Sequence, residues 1–138
     1  AHAHYEYRAV GDAVNTATRI QELNKKLGTR VLLSRPAIGD AGSEFLVRDL
    51  GHFLLRGKSH AVHVYELLER KAIATPEQGD LCARFAGCIQ AINDGENSAA
   101  LSLFQKLQAD FPSDGPTAFY LRTLESGLSL HEGALRVD

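Results

Sequence analysis

Val10-Gly11-Asp12-Ala13-Val14-Asn15-Thr16-Ala17-Thr18-Arg19-Ile20 lies near the start of the chain, and the elements on either side take their assignment from it. Before it, Tyr5, Tyr7 and Ala9 alternate with Glu6, Arg8 and Val10, the two-residue period of a strand over residues 3–10. Gly11 permits a sharp turn, and Asp12 can cap the orphan amides of a helix over residues 12–27. Along that helix Ala13, Ala17, Ile20, Leu23 and Leu27 form an apolar stripe at spacings of three and four. Asn15 and Arg19 are four residues apart and project together from another face. An amide beside a guanidinium on a rigid helix suits a ribose and a phosphate oxygen. An ordinary surface helix with Arg19 paired to Glu22 fits the same spacing.

Downstream, Gly28 falls where a helix C-terminal glycine belongs, and Lys25 and Lys26 complement the negative end of the helix dipole. Val31, Leu32 and Leu33 form a short apolar strand. Ser34 and Pro36 start a brief helical turn that fades into a loop over residues 39–42. A longer strand is expected over residues 45–55, bulged at Gly51, then a turn at Arg56-Gly57-Lys58-Ser59 and a hairpin partner over 61–68. Strands mixed with a helix in this order give an α+β fold, with helices against a mainly antiparallel sheet.

Composition changes near residue 70, which divides the chain into residues 1–70 and a helical tail over 71–138. Thr75-Pro76-Glu77 opens a helix that carries Leu81, Phe85, Cys88, Ile89 and Ile92 and stops at Asn93-Asp94-Gly95. A second helix is expected over 98–111 with Ala100, Leu103, Phe104 and Leu107 on one face. After the breaker Pro112-Ser113-Asp114-Gly115-Pro116, a third over 117–130 carries Phe119, Leu121 and Leu124. The three resemble one tetratricopeptide-like unit. A single unit cannot bury its own apolar faces, so the tail is expected to pack on the sheet or on a second subunit. Residues 133–138 are expected to fray.

Bulk properties narrow the function classes. The chain has 138 residues, 44% of them hydrophobic, enough for one modest core or two small ones. Fifteen basic and 17 acidic side chains give a net charge of −2, which argues against a nucleic-acid surface or a polybasic membrane anchor. No apolar run approaches the roughly 20 residues of a spanning helix, and no secretory signal opens the sequence. A soluble, cytoplasmic segment is therefore expected, with membrane attachment of a longer parent through upstream segments left open. Cys82 and Cys88, six apart on one helix, face different ways and read as buried free thiols. His2 and His4 share a strand face but have no third ligand nearby, so they make no metal site.

The string from Gly11 to Ile20 resembles the signature of class III nucleotidyl cyclases, Gly-Asp-x-Val-Asn-x-Ala-x-Arg followed by an aliphatic residue. The resemblance continues through Thr29-Arg30-Val31-Leu32-Leu33-Ser34, through Leu55-Arg56-Gly57-Lys58, and through Val62-His63-Val64-Tyr65-Glu66-Leu67, so it covers about residues 3–69. Three ordered blocks are far more specific than a lone glycine motif. The resemblance implies the later part of a ferredoxin-like cyclase fold with an added hairpin. It also implies that the match begins midway through a catalytic domain, whose two metal-binding aspartates have no counterpart here.

In such enzymes the ribose 3′-oxygen of a nucleoside triphosphate attacks the α-phosphorus, and fixed donors and metal ions stabilise the charge that develops. By resemblance, Asn15 orients the ribose and Arg19 stabilises the α-phosphoryl transition state. Arg56 matches a position that holds the outer phosphates, a solvated hairpin charge being the other reading, and Lys58 reads as solvated. Arg8 stands where the family places an Asp or Thr that reads the purine. ATP is the expected substrate, with GTP open because an arginine can donate to a purine carbonyl. The family's site lies between two catalytic domains. The resemblance thus implies a homodimer, Mg2+ or Mn2+ in the full-length enzyme, no metal bound by this segment, and no activity of the segment alone. A non-catalytic dimerisation or interaction module, and a nucleotide sensor, are the alternatives.

Overall fold

The computed structural model describes residues 17–35, 43–55, 60–127 and 134–137. In chain order these form helix α1 (17–27), strands β1 (Leu32–Ser34), β2 (Phe45–Leu55) and β3 (Val62–Arg70), helices α2 (Pro76–Asn93), α3 (Asn97–Asp110) and α4 (Gly115–Glu125), and strand β4 (Ala134–Val137). The sheet runs β1-β3-β2-β4, antiparallel between β1 and β3 and between β3 and β2. The chain is α+β. Among the described residues, no helix is long and apolar enough to cross a membrane.

The β2–β3 hairpin is the spine of the sheet, and its register shifts twice, between Leu46 and Val47 and between Asp49 and Gly51. Leu50 and Phe53 are three residues apart, an odd spacing that should place them on opposite faces, yet both are fully buried. The register between β2 and β3 shifts between Asp49 and Gly51, so the extra residue of a bulge restores the inward face. Gly51 takes a φ of 95°, and its N–H donates to Asp49 Oδ1 at 2.8 Å. The expected bulge is therefore present, and it returns Phe53 and Leu55 to the core.

The start of α2 follows its sequence signal closely. Thr75 Oγ1 accepts from Gln78 N, Gln78 Oε1 accepts from Thr75 N, and Pro76 occupies the first turn: a complete capping box. The last helix differs from its expected range of 117–130. Asp114 caps it two residues earlier, and it ends at Glu125 before Ser126 and Gly127, whose φ is 75°. Its most buried residues are Pro116, Thr117, Tyr120 and Leu121, with Phe119 and Leu124 at the margin. On α3, Ala100, Phe104 and Leu107 are buried as expected, but Leu103 is exposed.

The three helices close over the sheet and share one cluster with it. Phe104 stacks on Tyr120 with centroids 5.0 Å apart, Phe85 meets both edge-on, and Phe53 of β2 meets Tyr120 at 6.3 Å. Ile20, Leu23 and Leu27 of α1 belong to the same cluster. Cys82 and Cys88 are buried free thiols, and burial pushes each up to about 11. Residues 134–137, expected to fray, instead form β4, parallel to β2 from His52 to Leu55. Leu135 enters the core, so a segment too short to hold a shape alone is ordered by the β2 edge.

Candidate functional site

α1 carries the described end of the signature, Ala17 to Ile20. Its inward arc is Ile20, Leu23, Asn24 and Leu27. Ala17, expected in the apolar stripe, is exposed, and Asn24 is buried in its place. At 100° per residue, Ile20, Leu23 and Leu27 cluster within about one sixth of a turn, and Ala17 lies about a further sixth of a turn outside that arc, beyond Asn24. Asn24 is tolerated inside because its polar atoms are used locally. Its Oδ1 accepts from Thr29 Oγ1 at 2.7 Å, and its backbone carbonyl accepts from both Gly28 N and Thr29 N. Gly28 takes a φ of 72°, so this turn ends α1 in the manner expected of a C-terminal glycine.

Arg19 projects from the outer side of α1 and is about a third exposed. Its Nη1 donates to Glu22 Oε1 at 3.0 Å and Oε2 at 3.2 Å. This is the surface pair that the spacing allowed. Ala17, Thr18, Gln21, Glu22 and Lys25 line an open groove of about 410 Å³ on the same exposed side of the helix. Asp12, Asn15, Arg8, Arg56 and Lys58 lie outside the described residues. Among the described residues, no group of three or more His, Cys, Asp or Glu side chains could hold a metal ion.

Two further clusters went unread in the sequence. Arg48 is 2% exposed at the centre of β2. Its Nε and Nη2 donate to Glu66 Oε1 on β3, and its Nη1 and Nη2 donate to Asp114 Oδ2 and Oδ1 at 2.8 and 3.0 Å. The guanidinium also lies 4.9 Å from the Phe85 ring centroid. Burial alone lowers Arg48, but the bonds to Asp114 and the fields of both carboxylates outweigh it and hold the group charged. Burial pushes Glu66 up, and Arg48 pulls it part of the way back. The available signal was a cation at an inward register position of a strand, which demands buried carboxylates.

The second cluster lies on the opposite face of the sheet. His63 stacks between His52 and Tyr65, its Nε2 meets Asp49 Oδ1 at 2.8 Å, and Arg35 Nη1 donates to Tyr65 Oη at 2.7 Å. Burial, and then the neighbouring His63, lower the basicity of His52.

Two known proteins resemble the chain in sequence. The chain is 33% identical over 131 aligned positions to "Adenylate cyclase, terminal-differentiation specific" of Dictyostelium discoideum, covering 85% of this chain and 6% of that protein. It is also 36% identical over 75 positions to "Adenylate cyclase 1" of Rhizobium meliloti (strain 1021), covering 54% of this chain and 11% of that protein. The chain is related to adenylate cyclases. It spans about a tenth or less of the length of these curated relatives. A share of 85% exceeds what residues 1–70 of 138 supply, so the first alignment draws on the helices beyond residue 70 as well. No family model and no solved structure matches the chain.

Proposed function

We propose that this chain supplies the transition-state-stabilising side of an adenylate cyclase active site, built between subunits of a longer enzyme with the ferredoxin-like cyclase fold. The single observation that carries the reading is the alignment of most of the chain with an adenylate cyclase, together with the signature string that ends in Arg19. In the reaction, the ribose 3′-oxygen of ATP forms a bond to the α-phosphorus, the bond to the β-phosphate oxygen breaks, pyrophosphate leaves, and the 3′-hydroxyl proton is lost. Asn15 holds the ribose, Arg19 donates to the α-phosphoryl oxygens, Arg56 holds the outer phosphates, and Arg8 faces the purine. Arg19 is suited to the role because the Glu22 oxygens anchor it in an exposed pair that a phosphate can displace.

In the longer polypeptide, Arg19→Ala is expected to lower cyclic AMP production about 10²–10³-fold, with the dimer unchanged in sedimentation. Undiminished turnover sinks the proposal, and loss of the dimer makes Arg19 a structural residue. The 138-residue chain by itself is expected to make no cyclic nucleotide with Mg2+ or Mn2+. A second reading, a non-catalytic dimerisation module, draws on the Arg19–Glu22 pair as a finished surface contact. Comparing ATP and GTP turnover before and after Arg8→Thr separates the adenylate from the guanylate reaction.

A further inference from the structure

We propose that Asp114 and Gly115, at the head of α4, are positioning residues for α1, so that the helices beyond residue 70 set how well Arg19 is aimed. The inference rests on the reading of Arg19 given above.

Four observations converge on it. The Cα of Gly115 packs against the Leu27 carbonyl and Gly28, and a Cβ there would collide with the Leu27 backbone oxygen. Backbone cannot swing aside as a side-chain tip can, so this contact allows glycine alone. The two helices meet end to end, the negative terminus of α1 at the positive terminus of α4, which favours the contact. The last turn of α1 has no slack, because Asn24 ties down both Gly28 and Thr29.

α4 in turn is fastened to the sheet. Asp114 caps α4 through Thr117 N at 3.1 Å and Thr117 Oγ1 at 2.6 Å while it holds both Nη atoms of Arg48. Arg48 continues to Glu66, so one carboxylate joins α4 to β2 and β3. Tyr120 Oη donates to the Leu50 carbonyl at 2.6 Å, beside the Gly51 bulge. Arg19 is eight residues before Leu27 on the same helix. At 1.5 Å per residue, a shift at Leu27 carries Arg19 with it as a rigid body. A misplacement of about 1 Å can cost about 10² in rate.

The test uses two readouts and a control. Gly115→Ala in the 138-residue chain is expected to lower amide protection in residues 23–28 at least about tenfold more than in α2 and α3. In the longer enzyme the same change is expected to lower kcat about 10²-fold, with KM for ATP within about twofold. Leu107→Ala, in the core of α3, weakens the fold from a helix other than α1 or α4 and should leave kcat of the folded enzyme near wild type. Should Gly115→Ala fail to fold, Asp114→Asn keeps an oxygen for the cap, removes the negative charge that faces Arg48, and carries both readouts with the same sign. Protection lost equally from all helices, or a kcat no lower than that of Leu107→Ala, overturns the inference. If the unaltered longer enzyme makes no cyclic nucleotide, the functional reading fails, and amide exchange alone decides whether α4 positions α1.

Discussion

Arg19 and Arg48 carry the same guanidinium in opposite circumstances. Arg19 sits on the outside of α1, about a third exposed, paired to a glutamate three residues along the same helix. Arg48 sits inside, 2% exposed, between carboxylates contributed by β3 and by the head of α4. A solvated pair contributes about 0.2–1 kcal/mol and can be exchanged for another anion at little cost. A buried network holds charges that have already lost their water, and any missing partner leaves the others stranded. The first arrangement leaves a guanidinium at the surface; the second fastens elements together.

The contrast predicts effects of decreasing size. Arg48→Ala strands Glu66 and Asp114 and should cost about 3–5 kcal/mol in chemical denaturation. A loss below about 1 kcal/mol would place Arg48 in the same class as Arg19. The same network bears on Cys82, whose thiol is raised from its ordinary value of 9.0 to about 11, chiefly by burial. An acid raised in the folded chain keeps its proton there, so its contribution is fully present below about pH 9. That contribution is lost as pH climbs through about 11. Urea midpoints at about pH 8 and about pH 10.5 should show this fall, and Cys82→Ala should lessen it, leaving the share that Cys88 contributes. The smallest effect belongs to Arg19→Ala in the 138-residue chain, which should shift stability by no more than about 0.5 kcal/mol. A larger shift would mean that Arg19 is part of the scaffold.

Much of the local structure could be read in advance, because its causes are local. The capping box at Thr75, the proline in the first turn of α2 and the stop at Asp94 and Gly95 each act within a few residues. Gly51 announced a bulge because only a residue free of Cβ strain adopts its φ readily. Local signals failed where position in space decides the outcome. Ala17 and Asn24 exchanged roles on α1 because an apolar period defines an arc, while the neighbours decide which edge of that arc is covered. Residues 134–137 pair because the β2 edge lies beside them. For the candidate site, Arg19 and its Glu22 partner were legible from their spacing.

By itself, the amino-acid sequence determined the order of elements from α1 to α4, the two thiols left unpaired, and the string that resembles the cyclase signature. Periodicity, caps and turn residues are short-range instructions, and a recognisable motif is a matter of residue order. Tertiary structure alone decided that Arg48 reaches Asp114, 66 positions away, and that Gly115 meets the end of α1. Both contacts join parts of the chain distant in sequence, and they exist only because packing around the aromatic cluster brings those parts together.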